Sequence, residues 1–228
     1  MGTMTRLEVA TEVLANLDNR QDVGAAVIAR WINHTYSHMT HPGVHVFEDL
    51  NTVYDLVLVS GTAEYSLATA VVGYRVLAVR GATYMDAASG SITASTRRNR
   101  LKPKPVEWYD NRIHPSGEPR HYVVREGQNI YLSLTPNNTN TVRLRLYKEA
   151  ASLSADSSVT VLPEYFDEAL VTGTQAFAEF KLGMREKASE TFGLYNALLN
   201  GGMDKQTMEQ TAWGIETQLT TVPIMGVS

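Results

Sequence analysis

The chain of 228 residues contains no cysteine, which excludes disulfide staples and thiolate metal sites and fits synthesis in a reducing compartment. No run of about eighteen apolar residues occurs, so no membrane-spanning helix is expected. The segment MGTMTRLEVATEV lacks the basic-then-apolar order of a secretory leader. Positive charge is not in excess either. Twenty Lys and Arg against 24 Asp and Glu give a net charge of −4, which argues against nucleic-acid clamping by overall charge. Catalytic signatures are missing as well. Gly90-Ser91 and Ser116-Gly117 do not complete a G-x-S-x-G frame, and there is no G-x-G-x-x-G or Walker sequence. No spacing singles out an acid–base pair, so neither an enzyme nor a cofactor is expected. A soluble protein made in the cytoplasm is expected.

The residues that are present divide the chain into helix, strand and helix regions, an α+β pattern. Thr5 and Glu8 have the spacing of a capping box, followed by a stripe of Ala10, Val13, Leu14 and Leu17. Asp22 is placed to cap a second helix whose inner face carries Ile28, Trp31, Ile32 and Met39, stopped by His41-Pro42-Gly43. From about residue 46 to 150 the period becomes two. Ile130, Leu132 and Leu134 alternate with Tyr131 and Ser133, and Val142, Leu144 and Leu146 with Arg143 and Arg145. Further strands are expected over 52–59, 75–85 and 121–124, which together predict a small antiparallel β-sandwich or barrel inserted between helical parts.

The segment Leu162–Leu199 returns to helical spacing. Pro163 suits a helix start, and Phe166, Leu170, Gly173, Phe177 and Phe180 form one stripe. Gly183 is the joint, and Ala188, Phe192, Tyr195 and Leu199 form a second stripe. Gly201-Gly202 is expected to break the chain before a short third helix capped by Asp204, with Met208, Ala212 and Ile215 on one side. The expected divisions are 1–45 for the N-terminal helices, 46–150 for the β-domain, 151–216 for the C-terminal helices and 217–228 for an extended tail.

Several residue clusters are candidate sites. His34, His38, His41 and His45 fall within twelve residues, and His34 and His38 are one helical turn apart, a spacing that can place two imidazoles on one metal. Thr35 stands where a zincin carries Glu, so histidines gathered around a helix C-terminus are the preferred reading and a metal-dependent enzyme the lesser one. Arg97, Arg98, Arg100, Lys102 and Lys104 form the one dense basic run, read as a loop that meets solvent, an acidic partner or DNA. No aromatic residue interrupts the run, and the negative total favours a partner over DNA. Trp31, Trp108 and Trp213 read as core or interface anchors. In the tail, Leu219, Val222, Ile224, Met225 and Val227 make an apolar extended segment suited to docking on a neighbouring protein.

Five pieces, in order, resemble the head–tail connector (adaptor) proteins of tailed bacteriophages. Trp31-Ile32-Asn33 with Tyr36 is similar to the family's W-[IL]-N-x-x-Y, and Gly61-Thr62-Ala63-Glu64-Tyr65-Ser66-Leu67 to its G-T-x-x-Y-x-L. Gly117-Glu118-Pro119-Arg120-His121-Tyr122 is similar to G-x-P-x-x-Y, and Leu134-Thr135-Pro136 to a strand ending in proline. Leu162-Pro163-Glu164-Tyr165-Phe166 resembles the L-P-x-x-[FYH] start of a long helix, while Ala68 departs from a proline that the family often carries. The resemblance implies a helical bundle with an inserted β-domain, assembled as a ring of about twelve copies beneath the portal. It implies contacts with the portal and with a downstream neck or tail protein, and genomic DNA passing through the channel without sequence-specific binding. A stopper or tail-completion protein of the same virion is the alternative. The implied location is the head–tail junction.

Overall fold

The computed structural model describes residues 4–20, 22–70, 74–125 and 129–212. The expected tail, with Leu219, Val222, Ile224, Met225 and Val227, and the expected positions of Trp213 and Ile215 lie outside the described residues. The fold is mixed α+β, with helices before and after a run of strands. Two compact units result. One comprises Phe47–Glu149, the other Met1–Val46 together with Ala150–Ser228.

The helical unit is built from α1 (Arg6–Asn16), α2 (Ala25–Met39), α5 (Asp167–Lys181) and α6 (Arg185–Ala212). Helix α1 starts on the capping box, with the Thr5 hydroxyl accepting from the Glu8 amide and the Glu8 carboxylate accepting from the Thr5 amide. Its inner face follows Val9, Val13 and Leu17, and Leu14 is only half-buried. Helix α2 begins after Gly24 with no side-chain cap. Asp22 pairs with Arg20 instead, which removes the expected cap.

Helix α5 packs against α1, α2 and α6. Its buried positions are therefore wider than the expected stripe and include Ala169, Leu170, Val171, Thr172, Gly173, Thr174, Ala176 and Ala178. The stripe itself ends early. Phe177 is half-buried and stacks on His34 with ring centroids 4.4 Å apart, and Phe180 is exposed. A turn of 3-10 helix, Glu164–Phe166, separates Pro163 from α5, so the proline begins that turn and not the α-helix.

Gly183 joins α5 to α6 at φ +83, with Met184 donating to the Glu179 carbonyl at 2.9 Å, the six-to-one bond of a Schellman motif. Helix α6 then runs without interruption through Gly201-Gly202, contrary to the expected break. The Phe166 ring explains Gly202. A Cβ there would meet that ring at 2.6 Å, so the glycine admits the aromatic side chain against the helix backbone. Gly173 does the same in α5, where a Cβ would meet the Tyr195 ring at 2.7 Å and the Thr35 methyl at 2.8 Å.

Glu179 is buried in the hairpin, and its carboxylate accepts from Gln175 at 2.8 Å and Thr191 at 2.7 Å, with Lys187 Nζ at 3.4 Å. A buried carboxylate is tolerated when it is bonded in this way.

The β unit contains β1 (Asn51–Val57), β2 (Glu64–Ser66), α3 (Leu67–Ala70), β3 (Val76–Met85), β4 (Arg98–Pro103), α4 (Val106–Asp110), β5 (His121–Arg125), β6 (Asn129–Leu132) and β7 (Thr141–Lys148). The strands form one curled sheet in the order β1-β7-β3-β4-β5-β6-β2, antiparallel except between β4 and β5. That parallel pair requires a crossover, and the connection carrying α4 supplies it. Two irregularities in β3, between Val76 and Ala78 and between Val79 and Gly81, add local twist. Residues from both halves of the sheet share one core, among them Leu56, Ala82, Leu101, Tyr122, Ile130 and Leu144.

The two glycine environments give opposite expectations. Gly173→Ala should destabilise by about 1–3 kcal/mol through overpacking, although alanine is the better helix former. Gly201→Ala, where nothing lies within 4 Å of the added Cβ, should stabilise by roughly 0.5–1 kcal/mol. Urea unfolding of the two variants measures both, and a neutral Gly173→Ala would contradict the close packing of α5 on α6.

Candidate assembly surfaces

The motif residues hold loops in place. Asn33 Oδ1 accepts from the Leu153 amide at 2.7 Å, and its Nδ2 donates to the Ala29 carbonyl at 2.9 Å. The Tyr36 hydroxyl accepts from the Val161 amide at 3.0 Å, one residue before Leu162-Pro163. The α2 motif thereby fixes the irregular segment that leads into α5. In the β unit the Tyr65 hydroxyl accepts from the Val59 amide at 3.0 Å and donates to the Thr62 carbonyl at 2.8 Å. Gly61 donates to the Pro136 carbonyl at 2.9 Å, and Gly117 to the Thr135 carbonyl at 2.9 Å. Three motifs far apart in sequence therefore meet around 134–136.

The basic run is a strand, which corrects the expected loop. Leu101 lies in the core at 1% exposure, so Arg98, Arg100 and Lys102 stand on the opposite, outer face by the period of two, and all three are exposed. Arg97 is neutralised by Glu118, with Asp86 at 3.4 Å. Lys104 lies just past the strand, with its Nζ 5.6 Å from the centroid of the Trp108 ring. The Arg112 guanidinium is 4.5 Å from the same ring, and the His121 ring is 5.0 Å away. Burial and the positive charges of Lys104, Lys102, Arg112 and Arg120 hold His121 below the ordinary imidazole range. Among the described residues none of Arg98, Arg100, Lys102, Lys104, Arg112 and Arg120 forms a salt bridge. The linear run had no interleaved aromatic, yet the fold brings Trp108 into it. Ile113, beside Arg112, is 92% exposed.

The overall charge conceals a division. The β unit carries thirteen basic and ten acidic residues, net +3, while the helical unit carries seven and fourteen, net −7. On the helical unit Phe180, Phe192 and Leu194 are exposed apolar residues. The sequence pattern placed Phe180 and Phe192 in stripes but could not tell which stripe positions would find a partner.

The histidines engage separate groups. His34 stacks on Phe177, His38 Nδ1 lies 3.0 Å from the Tyr195 hydroxyl, His41 Nδ1 accepts from the Gly43 amide at 3.1 Å, and His45 bonds Gln206. Among the described residues no group of three or more His, Asp or Glu is arranged to hold a metal. Burial is the main cause lowering His38, reinforced by His34 and His41; it also lowers His45, against the opposing bond to Gln206. Tyr195 is pushed up to about 12 by burial. Both imidazoles thus bind a proton less readily in the folded state than in the unfolded chain. The stability they contribute is present above about pH 6.5 and is lost as pH falls below it. The urea midpoint should therefore fall between about pH 7.5 and 5.5, and fall less in a variant carrying His38→Gln and His45→Gln. An equal fall in both proteins would contradict the assignment.

Comparison with known proteins adds identity to this geometry. No curated protein matches the chain. A family model described as SU10 adaptor protein matches residues 4–220, which takes in both units and every motif described above. The residues that carry the resemblance are those that tie the long segment 149–163 and the turns at 59–62 and 134–136, and they sit in a match spanning nearly the whole sequence. The chain belongs to the SU10 adaptor protein family, a structural family of the bacteriophage head–tail junction.

Proposed function

We propose that the protein is a head-to-tail adaptor that assembles as a ring of about twelve copies beneath the portal and contributes to the DNA channel. The match over residues 4–220 is the observation that carries this reading. In it, the N- and C-terminal helices form a bundle and the β unit is an inserted sandwich or barrel. The portal binds on one side and a downstream neck or tail protein on the other. The division of charge supports a conduit. A wall that grips phosphates slows translocation, and the helical unit carries the negative surplus that repels them. Genomic DNA passes without sequence-specific contact. The apolar tail residues Leu219, Val222, Ile224, Met225 and Val227 serve as an arm that docks on the portal or a neighbouring subunit.

Purified full-length protein mixed with portal should co-sediment as a single large complex whose mass gives about twelve copies per portal ring. A chain that remains monomeric with the portal and with every tail component would refute the reading. Removal of residues 217–228 should leave the thermal unfolding midpoint unchanged and lower the yield of the complex. An unchanged yield would remove the docking role of the tail while leaving the adaptor reading in place.

A further inference from the structure

Two exposed faces of this chain complement one another. On the β unit, Lys104 and Arg112 flank Trp108 and form no ion pair among the described residues, and Ile113 projects beside them almost wholly exposed. On the helical unit, α6 turns Ala188, Tyr195 and Leu199 inward. Glu186, Glu190 and Leu194 follow at steps of four on the opposite side, and all three are exposed. Glu186 suits the first turn of a helix, but Glu190 lies beyond it, one turn from a like charge. Neither is in a salt bridge among the described residues, since Lys187 is directed to Glu179.

We propose that the Lys104–Ile113 corner of one copy docks on the outer face of α6 of a second copy, Lys104 and Arg112 meeting Glu186 and Glu190 while Ile113 packs near Leu194. This rests on the ring reading above and names the contact that closes the ring. The partner is a protein and not DNA for a physical reason. An exposed isoleucine gains nothing from a phosphate backbone, and the Trp108 ring is already occupied by its own cations. Each face is matched by its opposite, cation to carboxylate and aliphatic to aliphatic, and the +3 and −7 totals repeat the match for the units that carry them. Because the two faces differ, the contact is heterologous and propagates from copy to copy, as ring closure requires.

The absence of cysteine makes the test clean. A chain carrying Ile113→Cys and Leu194→Cys, assembled into particles and oxidised, should give a ladder of cross-linked multimers on a non-reducing gel. Either single variant, with one thiol per copy, should give at most dimers. Adding K104E and R112E should lower the cross-linked fraction at least about tenfold, and E186K with E190K in the same chain should restore it. Rings intact by electron microscopy but lacking the ladder would overturn the contact and leave the ring reading standing. Particles with no ring would remove both. Loss of duplex-DNA retention in a K104E, R112E variant, with rings intact and no ladder from the Ile113→Cys, Leu194→Cys chain that keeps Lys104 and Arg112, would assign the corner to nucleic acid instead.

Discussion

Helix α5 needs neighbours on several sides at once, and the rest of the helical unit follows from that requirement. Its first three turns bury small residues, and two of its partners are reached only from the far end of the sequence, since α1 and α2 precede the strands. The approach is close enough that Gly173 admits both the Tyr195 ring and the Thr35 side chain. A larger side chain there would push α6 and α2 away together. The same economy recurs at Gly202, where the Phe166 ring lies against α6. Because the two ends of the chain must meet on α5, residues 47–149 leave the helical unit and return to it as a separate folded unit. The long segment of the return, 149–163, is fixed by Asn33 and Tyr36 of α2, which bond Leu153 and Val161.

The elements whose periodicity reflects one-sided burial were legible in the sequence. The capping box at Thr5 and Glu8, the inner face of α2 and the alternation in β6 and β7 are of this kind. Strand β4 was not legible as a strand, because its outward residues are all charged and only Leu101 reports the core. Strand β2 is three residues long, too short to show a period. Gly201-Gly202 reads as a break by propensity, yet packing against Phe166 overrides propensity when a side chain needs the space. Phe180 and Phe192 continue apolar stripes to positions that are exposed, Phe192 touching only its helix neighbour Tyr195, with ring centroids 5.5 Å apart, among the described ring contacts. A pattern locates a stripe, but it cannot say where the neighbouring element stops. Among the candidate sites, the basic run was visible and its setting was not. Trp108, Arg112 and His121 come from the crossover and from β5, brought together by a parallel pairing that no local signal announces.

Charge shows the same limit. A total of −4 describes neither unit, since a basic β unit and an acidic helical unit average to it. Electrostatic steering and subunit contacts depend on the surfaces that meet, and a repeated subunit with two opposed surfaces has the means of recognising its own copy. The motifs that identify the family do something different. They set loops and turns inside each unit, so they specify the scaffold and leave the exposed faces free to be shaped by partners.

A cryo-electron microscopy reconstruction of the virion neck tests the central claim, that this chain is a ring-forming adaptor, most directly. The expected result is a continuous ring of about twelve copies against the portal, with the helical units around the DNA path. Density for the chain confined to the tail tube or scattered on the capsid, with a different protein filling the position beneath the portal, would contradict it.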